Sequence, residues 1–193
     1  MTEKKENIVP VAMRREDLVE FPHHELPPGY AFRRYRGGDE QVWTDIWKRS
    51  DRYGVIDPSV FRREFGTDEA VLAERQYFML APDGVEIGTV TAWLPDDTHG
   101  PSSGRVHWVA IVPEMQGKGL GKPLITTVLT RLRELGYARA NLHTESVRTV
   151  AIRLYLKFGF RPEVRSETER QAWRDLRQLF APSPLGDFDL GRG

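Results

Sequence analysis

The stretch Val109-Ala110-Ile111-Val112-Pro113-Glu114-Met115-Gln116-Gly117-Lys118-Gly119-Leu120-Gly121 decides the fold of this chain. An apolar segment leads into a turn with three alternating glycines, and a helical pattern follows. Glycine lets backbone N–H groups approach a ligand with no Cβ in the way, and the start of a helix adds unpaired N–H donors and a partial positive charge. With the charges of Lys118 and Lys122, the turn predicts a cradle for a diphosphate group.

Two common phosphate-binding motifs do not fit this turn. A nucleoside-triphosphate loop, G-x-x-x-x-G-K-[ST], would need glycine in place of Gln116 and a hydroxyl residue in place of Pro123. A dinucleotide fingerprint, G-x-G-x-x-G, would need a wider second spacing than that from Gly119 to Gly121. At this point a glycine-rich connection between a strand and a helix, with no ligand, remains an alternative.

The pattern around the turn predicts a mixed sheet covered by helices. Apolar residues recur at helical spacing from about residue 119 to residue 135, where Gly136 ends the pattern. Asp83-Gly84 predicts a hairpin turn. Period-two runs predict strands at 76–80, 85–94, 105–112 and 138–143, and further helical patterns occupy 147–158 and 167–180. This order favours an α/β fold whose sheet is partly antiparallel and partly parallel.

The two ends of the chain differ from its middle. Residues 1–28 are expected to form an N-terminal arm, in which the alternation of Val9, Val11 and Met13 predicts a short edge strand. Residues 29–180 are expected to form a single domain. Residues 181–193, which include two prolines, three glycines and two aspartates, are expected to form a loose C-terminal tail.

Composition excludes several classes of protein. The chain has 193 residues, with 28 Lys+Arg and 28 Asp+Glu, and this zero balance argues against a nucleic-acid partner bound through bulk charge. There is no cysteine, which excludes disulfides, thiolate metal sites and a cysteine nucleophile. No apolar run approaches the roughly 18–20 residues of a membrane span, and the charged first residues do not resemble a secretory signal. We therefore expect a cytoplasmic protein that binds no membrane.

At this point the sequence resembles the GCN5-related N-acetyltransferase (GNAT) superfamily. The acyl-CoA signature of that family is [R/Q]-x-x-G-x-[G/A], and Gln116-Gly117-Lys118-Gly119-Leu120-Gly121 matches each fixed position. About 30 residues downstream, Ala151-Ile152-Arg153-Leu154-Tyr155-Leu156-Lys157-Phe158-Gly159-Phe160 closely matches the family's A-x-x-L-Y-x-k-x-G-F segment. The resemblance covers about residues 76–162, and the two motifs in this order are a strong combined signal.

The resemblance implies a fold, a co-substrate and a set of contacts. The implied fold is a mixed sheet whose two central parallel strands splay apart and admit the pantetheine arm of acetyl-CoA, with no metal. Backbone groups of Val109, Ala110 and Ile111 would pair with that arm. The pyrophosphate would be held by the residues of the turn, namely Gln116, Gly117, Lys118, Gly119, Leu120, Gly121 and Lys122.

Two side chains are candidates for the chemistry. By resemblance, Tyr155 is the acid that protonates the departing thiolate, although a tyrosine on an apolar helix stripe can also be a core residue. For the base we favour His107, which lies in the strand before the turn and shares a face with Val109 and Ile111 if that strand is regular. A structural histidine at this position is an equal alternative. Rival bases are the carboxylates of Glu86, Glu114 and Glu145.

The sequence therefore predicts an acetyl-CoA-dependent N-acetyltransferase that acts on a primary amine of a small molecule or peptide by direct attack on the thioester. The alternative is a non-catalytic module of the same fold that binds or senses CoA. One departure is Arg148, since many family members have asparagine there, in contact with the cofactor arm. The protein is expected to be a monomer or a homodimer.

Overall fold

The computed structural model describes residues 8–96, 98–183 and 186–190. In these residues seven strands form one sheet in the order β2-β3-β4-β5-β6-β1-β7. The strands are β1 (Pro10–Arg15), β2 (Ala31–Arg34), β3 (Gln76–Leu80), β4 (Glu86–Trp93), β5 (Ser103–Ile111), β6 (Arg139–Glu145) and β7 (Arg161–Glu163). The helices are α1 (Glu40–Ser50), α2 (Pro58–Phe65), α3 (Glu69–Arg75), α4 (Gly121–Glu134), α5 (Thr149–Lys157) and α6 (Glu167–Phe180), and a 3₁₀ turn spans Pro113–Met115. The predicted mixed sheet is confirmed.

The parallel pair in the middle of the sheet is short. Strands β5 and β6 pair only at Ser103–Arg139, Gly104–Ala140 and Arg105–Asn141. Beyond this pairing β5 continues to Ile111 and β6 continues to Glu145, with no further pairing between them. The two strands therefore separate towards their carboxyl ends, as the family resemblance implies.

A bulge interrupts β5 immediately after His107. His107 pairs with Thr91 of β4 and Ala110 pairs with Thr89, so three steps along β5 match two steps along β4. Trp108 lies at this bulge with a φ of 50°, which is rare for a residue other than glycine. The extra residue shifts the alternation of side chains, because each residue of an antiparallel pair shares its face with its partner. His107 consequently shares a face with Ala110, and the expectation that it faces the same way as Val109 and Ile111 is wrong.

Helices cover the two faces of the central strands differently. A Cβ at Gly104 of β5 would overlap the side chain of Leu132, which places α4 on that face. The buried stripe of α4 is the predicted one, with Leu124, Val128 and Leu132 all fully buried. His107, three residues further along β5, packs its ring against Phe65 of α2 on the opposite face. One face of β5 is thus filled by apolar side chains, and the other carries polar groups.

Strand β1 is an internal strand of the sheet. It pairs antiparallel with β6 on one side and with β7 on the other, so its predicted place at an edge is wrong. Pro10 causes no conflict because proline is tolerated at the first residue of a strand, whereas Val11 and Met13 are buried in the core. The edge position on this side of the sheet belongs to the three-residue β7.

The carboxyl-terminal part of the chain packs onto this sheet. Helix α6 has the predicted bounds, and its first turn is capped by the Ser166 side chain, which accepts a hydrogen bond from the Glu169 N–H. In the predicted tail, Phe188 is buried and meets Trp173 of α6 edge to face at 5.5 Å between ring centroids. None of the helices in the described ranges combines the length and the apolar character that crossing a bilayer would require.

The burial of α4 predicts a large stability difference between two leucines. Leu132→Ala empties a fully buried site against β5, and we expect the free energy of unfolding to fall by about 2–5 kcal/mol. Leu179→Ala changes an α6 side chain that is 56% exposed, and we expect a change within about 0.5 kcal/mol. Urea denaturation midpoints measure both. Equal losses in the two variants would contradict the place of α4 in the core.

Candidate active site

The glycine turn connects β5 to α4 through a backbone that only glycine adopts easily. The 3₁₀ turn ends at Met115, with Gln116 as its C-cap, and α4 begins at Gly121. Gly117 and Gly119 have φ values of 75° and 79°, in the left-handed region that other residues reach at a cost of about 1–2 kcal/mol. A Cβ at either position would meet no atom within 4 Å. These glycines therefore serve the backbone path and leave open space above it.

The backbone amides of this turn are available to a ligand. Counting from Gly117 and considering only the described residues, the first backbone amide with an acceptor is that of Lys122, which donates to the Gly119 carbonyl at 3.2 Å. No described acceptor pairs with the amides of 117–121. The Gln116 side chain points back, since its Nε2 donates to the Ile111 carbonyl at 2.8 Å and fastens the turn to the end of β5. Lys118 and Lys122 are both exposed beside the turn.

The gap between β5 and β6 leads directly to this turn. Val109, Ala110 and Ile111 lie in the part of β5 that β6 no longer pairs. The edge of β5 that faces the gap can therefore accept an extended arm as an added strand. An arm in the gap and a diphosphate on the free amides fit two adjoining parts of coenzyme A, the pantetheine and the diphosphate, so the observed backbone suits that group.

Tyr155 lies on α5 and is buried, with its ring 6.0 Å from that of Phe160. Burial raises the pKa of Tyr155 to about 12, and the positive charge of Arg148 opposes that shift. The phenol is therefore protonated at neutral pH. A protonated phenol can donate a proton, which is the property that the predicted acid needs.

His107 is enclosed by aromatic rings on the polar face of β5. Its ring centroid lies 5.5 Å from that of Phe65 and 6.4 Å from that of Trp93, with which it is stacked. Burial lowers the pKa of His107 to about 4, with a contribution from the charge of Arg105, although the contact with Glu64 opposes it. The imidazole is neutral at physiological pH and keeps a free lone pair, but it is a weaker base than an ordinary histidine.

Among the described residues, Glu64 is the carboxylate that contacts His107, and sequence analysis did not single it out. Its Oε2 lies 3.5 Å from His107 Nε2 and accepts a hydrogen bond of 3.1 Å from Trp108 Nε1. The contacts with His107 and Trp108 outweigh burial and lower the pKa of Glu64 to about 2. Glu64 and His107 are 43 positions apart in the sequence, so no local pattern links them. The sequence indicates only that Glu64 precedes the apolar Phe65 in α2.

The three rival carboxylates are engaged elsewhere. Each forms an ion pair with an arginine, namely Glu86 with Arg33, Glu114 with Arg49 and Glu145 with Arg148. None of these contacts brings the carboxylate to His107. Glu64 is thus the acidic partner that the structure gives to the predicted base.

Arg148 bridges two segments beside the strand gap. Its guanidinium pairs with Asp51, at the end of α1, and with Glu145, at the end of β6, at 2.9 and 2.8 Å. It also lies over the ring of Tyr53 at 5.2 Å. Arg148 therefore links the α1–α2 loop to the β6–α5 turn. At the position where the family pattern has asparagine, this chain thus has an arginine whose contacts are with other side chains of the protein.

A second charged cluster lies further along the same face. His143 of β6 and Glu163 of β7 lie opposite the small Ala12 of the intervening β1. His99, from the β4–β5 loop, bonds Asp96 through Nδ1 at 2.8 Å and Glu163 through Nε2 at 2.7 Å.

The protonation of His99 decides what this cluster can bind. Burial lowers its pKa, but the hydrogen bonds to Glu163 and Asp96 outweigh burial and raise the pKa overall. Asp96, His99 and His143 bring ligand atoms within 4.8 Å of one another, a spacing that could hold a metal ion. Both ring nitrogens of His99 contact carboxylates, so a metal ion at this cluster would compete with the proton that these contacts favour.

Comparison with known sequences agrees with this geometry. Residues 40–160 match the model of the acetyltransferase (GNAT) family. Curated relatives include a mycothiol acetyltransferase of Actinosynnema mirum, 32% identical over 152 residues that cover 77% of this chain and 50% of the relative. Another, from Geodermatophilus obscurus, is 33% identical and covers the same shares. The chain thus spans about half the length of the curated relatives that it matches.

Solved structures show the same fold. A GCN5-related N-acetyltransferase from Sphaerobacter thermophilus aligns with a TM-score of 0.66 at 19% identity, over 80% of this chain and 48% of that one. A Mycobacterium tuberculosis protein in complex with CoA aligns with a TM-score of 0.54 at 16% identity, over 77% of this chain and 81% of that one. From the family match over 40–160, the splayed strands and the open glycine turn, we conclude that this chain belongs to the acetyltransferase (GNAT) family.

Proposed function

We propose that this protein is an acetyl-CoA-dependent N-acetyltransferase that transfers an acetyl group to a primary amine by direct attack on the thioester. The observation that carries the proposal is the row of amides at 117–121 that lack acceptors among the described residues, at the mouth of the gap between β5 and β6. Such a row suits a diphosphate, because free N–H groups at a helix start bind anions. The gap suits the extended arm attached to it.

The residues proposed to hold the cofactor are those of the turn and of the strand before it. The amides of the turn would bind the pyrophosphate, with Lys118 and Lys122 adding positive charge, and Val109 to Ile111 would pair with the pantetheine arm. Acetyl-CoA supplies an activated thioester carbonyl. The chain itself has to position the amine, manage its proton and protonate the departing sulfur.

We propose that His107 and Glu64 manage the amine proton. An ammonium has no lone pair, so the acceptor must lose a proton before it can attack. The neutral ring of His107 can accept that proton, and the adjacent Glu64 carboxylate, 3.5 Å away, would stabilise the imidazolium that forms. Because the lowered pKa of His107 makes the imidazolium short-lived, the proton must pass on to solvent in each turnover.

Tyr155 is proposed to protonate the thiolate. Its buried phenol is protonated at neutral pH, as its raised pKa indicates. Loss of that proton to the departing sulfur would create a tyrosinate, and the nearby positive charge of Arg148 favours that anion. Tyr155 and Arg148 both belong to the β6–α5 segment, on the far side of the gap from His107.

We propose a small-molecule amine as the acceptor. The curated relatives named above are mycothiol acetyltransferases, which supports a small molecule over a protein substrate. A peptide amine is the second class to assay. A screen of amines that monitors thiol release from acetyl-CoA tests the proposal, and CoA binding without turnover on any amine would instead favour a binding or sensing module.

The cradle is tested by Gly119→Ala. The left-handed φ of Gly119 disfavours alanine, and the new methyl group would occupy the space above the turn. We expect the Kd for CoA, measured by calorimetry, to rise about tenfold, which corresponds to about 1.4 kcal/mol.

Gly84→Ala is the matched control for this variant. Gly84 has a φ of 83° and a Cβ there would also meet nothing within 4 Å, but it lies in the β3–β4 hairpin. Both variants are expected to lose about 1–2 kcal/mol of stability, whereas only Gly119→Ala loses affinity for CoA. Unchanged affinity in Gly119→Ala would remove the turn from the binding site.

The acid is tested by Tyr155→Phe, which keeps the ring and removes the hydroxyl group. We expect kcat to fall by roughly 100-fold, in the range for a lost general acid, while the Kd for acetyl-CoA stays within about twofold. Steady-state kinetics and calorimetry measure these quantities. Wild-type turnover in the variant would show that the buried phenol is only a core residue.

The base is tested by His107→Ala. If the ring takes the amine proton, kcat should fall about 100-fold or more. Since the pKa of His107 is about 4, its protonation near that pH should add an acidic limb to the wild-type rate profile, and this limb should be absent from the variant. An identical profile in both proteins would point to a carboxylate or a water chain.

The same titration can be followed directly by NMR of the imidazole rings. His107 should remain neutral through pH 6.5 and take up a proton only near pH 4. His99, whose pKa is raised, should become protonated above pH 6.5 and serves as the internal reference. Because the unfolded chain binds the His107 proton more readily between pH 6.5 and 4, this histidine lowers stability as the pH falls through that window.

A further inference from the structure

Arg105 is a half-buried arginine on the polar face of β5, two residues before His107. It forms the last pair between β5 and β6, with Asn141, so it lies at the point where the two strands begin to separate. Its NH2 group approaches His107 Nε2 at 3.4 Å. Arg105 therefore lies at the inner end of the gap, next to the proposed base.

Arg105 has no carboxylate partner in the described part of the chain. The sixteen ion pairs found there do not include it. Within the described residues its Nε is buried and has no hydrogen-bond partner, and the guanidinium contacts the ring of His107. A partly buried charge without an ion-pair partner is costly, and natural proteins seldom leave one without a compensating ligand or ion pair.

The carboxylates around Arg105 are already engaged by other groups. Glu64 and Asp96 are near enough to stabilise its charge at a distance. Glu64, however, accepts from Trp108, and Asp96 accepts from the ring and the backbone N–H of His99. Glu163 of β7 bonds His99 and Arg165, and Glu145 of β6 pairs with Arg148. The described residues thus leave Arg105 without a counter-ion of its own, a place that an anionic group of another molecule would fill.

An acceptor has to approach the gap from this face. The opposite face of β4 and β5 is filled by α4, whose Leu124, Val128 and Leu132 are fully buried. On the other face, Arg105 and His107 both retain partial exposure beside the aromatic rings of Phe65 and Trp93. An amine that reaches His107 on this route therefore passes the guanidinium or rests against it.

We propose that Arg105 binds a carboxylate of the acceptor, so that the preferred substrates are amines with a carboxylate group only a few bonds away. The short distance between the Arg105 guanidinium and His107 Nε2 determines how far apart the amine and the carboxylate of the substrate can be. In an α- or β-amino acid, an amine that contacts the His107 ring places the carboxylate against the guanidinium of Arg105. Guanidinium binds carboxylate through two parallel hydrogen bonds, which adds geometric selection to charge. This inference rests on the proposed function and narrows its acceptor class.

Matched pairs of acceptors test the proposal. The rates of acetylation of 3-aminopropanoate and 3-aminopropanamide, and of alanine and alaninamide, are compared as ratios of kcat/KM. The carboxylate-to-amide ratio of kcat/KM in each variant is then divided by the same ratio in the wild-type protein. This division removes the effect of the different basicities of the amines. We expect the preference for the carboxylate to fall about tenfold or more in Arg105→Gln, as for the loss of a charge-assisted pair. Arg105→Lys, which keeps the charge, should retain part of the preference.

Arg14→Gln is the control variant. Arg14 of β1 lies on the same face of the sheet as Arg105, since both residues pair with Asn141 of β6. Unlike Arg105, Arg14 is exposed and forms an ion pair with Glu16. The preference for the carboxylate should be the same in this variant as in the wild-type protein. A preference that survives in Arg105→Gln, or falls equally in Arg14→Gln, would overturn the assignment.

A binding measurement keeps the test independent of turnover. The Nε–H signal of Arg105 in ¹⁵N NMR, assigned by its loss in Arg105→Gln, should shift on addition of 3-aminopropanoate and not of 3-aminopropanamide. A shift without acetylation of any amine would retain the carboxylate site and overturn the proposed function. Acetylation of amines without an NMR shift or a carboxylate preference would retain the proposed function and overturn the carboxylate site. If neither acetylation nor a shift is observed, the proposed function and the carboxylate site are both overturned.

Discussion

The early end of the pairing between β5 and β6 is the constraint on which the rest of the structure depends. Two parallel strands that stay in register would leave no space between them. Here pairing stops after Arg105 and Asn141, and six further residues of β5 run on without β6. This separation opens the gap, exposes one edge of β5 and brings its carboxyl end to the glycine turn. The cofactor cradle and the polar face follow from this one geometric fact.

The bulge at Trp108 determines which side chains meet beside that gap. The extra residue lets β5 turn both His107 and the indole of Trp108 towards α1 and α2. The indole packs 4.6 Å from the ring of Trp47, and its N–H bonds Glu64. A residue at positive φ is strained, but the burial of this large ring among other aromatic rings offsets the cost. The strained backbone is thus held at the point where acyl transfer is proposed.

Burial controls the charge of this face more than the count of charged residues does. His107 is neutral because its ring is buried among aromatic side chains, and Tyr155 is protonated for the same reason. His99 is also partly buried, but two carboxylates bind its ring and raise its pKa. Burial and paired charges thus shift the pKa values of His107 and His99 in opposite directions. The guanidinium of Arg105, which has no ion pair among the described residues, suits the anionic substrate proposed above.

What the sequence determined by itself was local. The glycine turn, the bounds of α6, strand β3 and the buried stripe of α4 could all be predicted, because each depends on φ preferences, capping or periodicity within about one element. The family motifs extended this to the splayed sheet. Helix α3 and strand β7 were missed or barely indicated, since a helix of seven residues and a strand of three carry too little periodicity.

Only the tertiary structure decided the composition of the site. Strand β1 lies inside the sheet because β6 and β7 supply partners from the other end of the chain, and no local pattern records that pairing. The bulge reversed the face of His107, since one added residue changes the alternation of a strand. Glu64 meets Trp108 across 44 positions of sequence. Charges, pKa values and the unpaired Arg105 arise from such distant contacts, whose energies depend on burial and separation in space rather than on order along the chain.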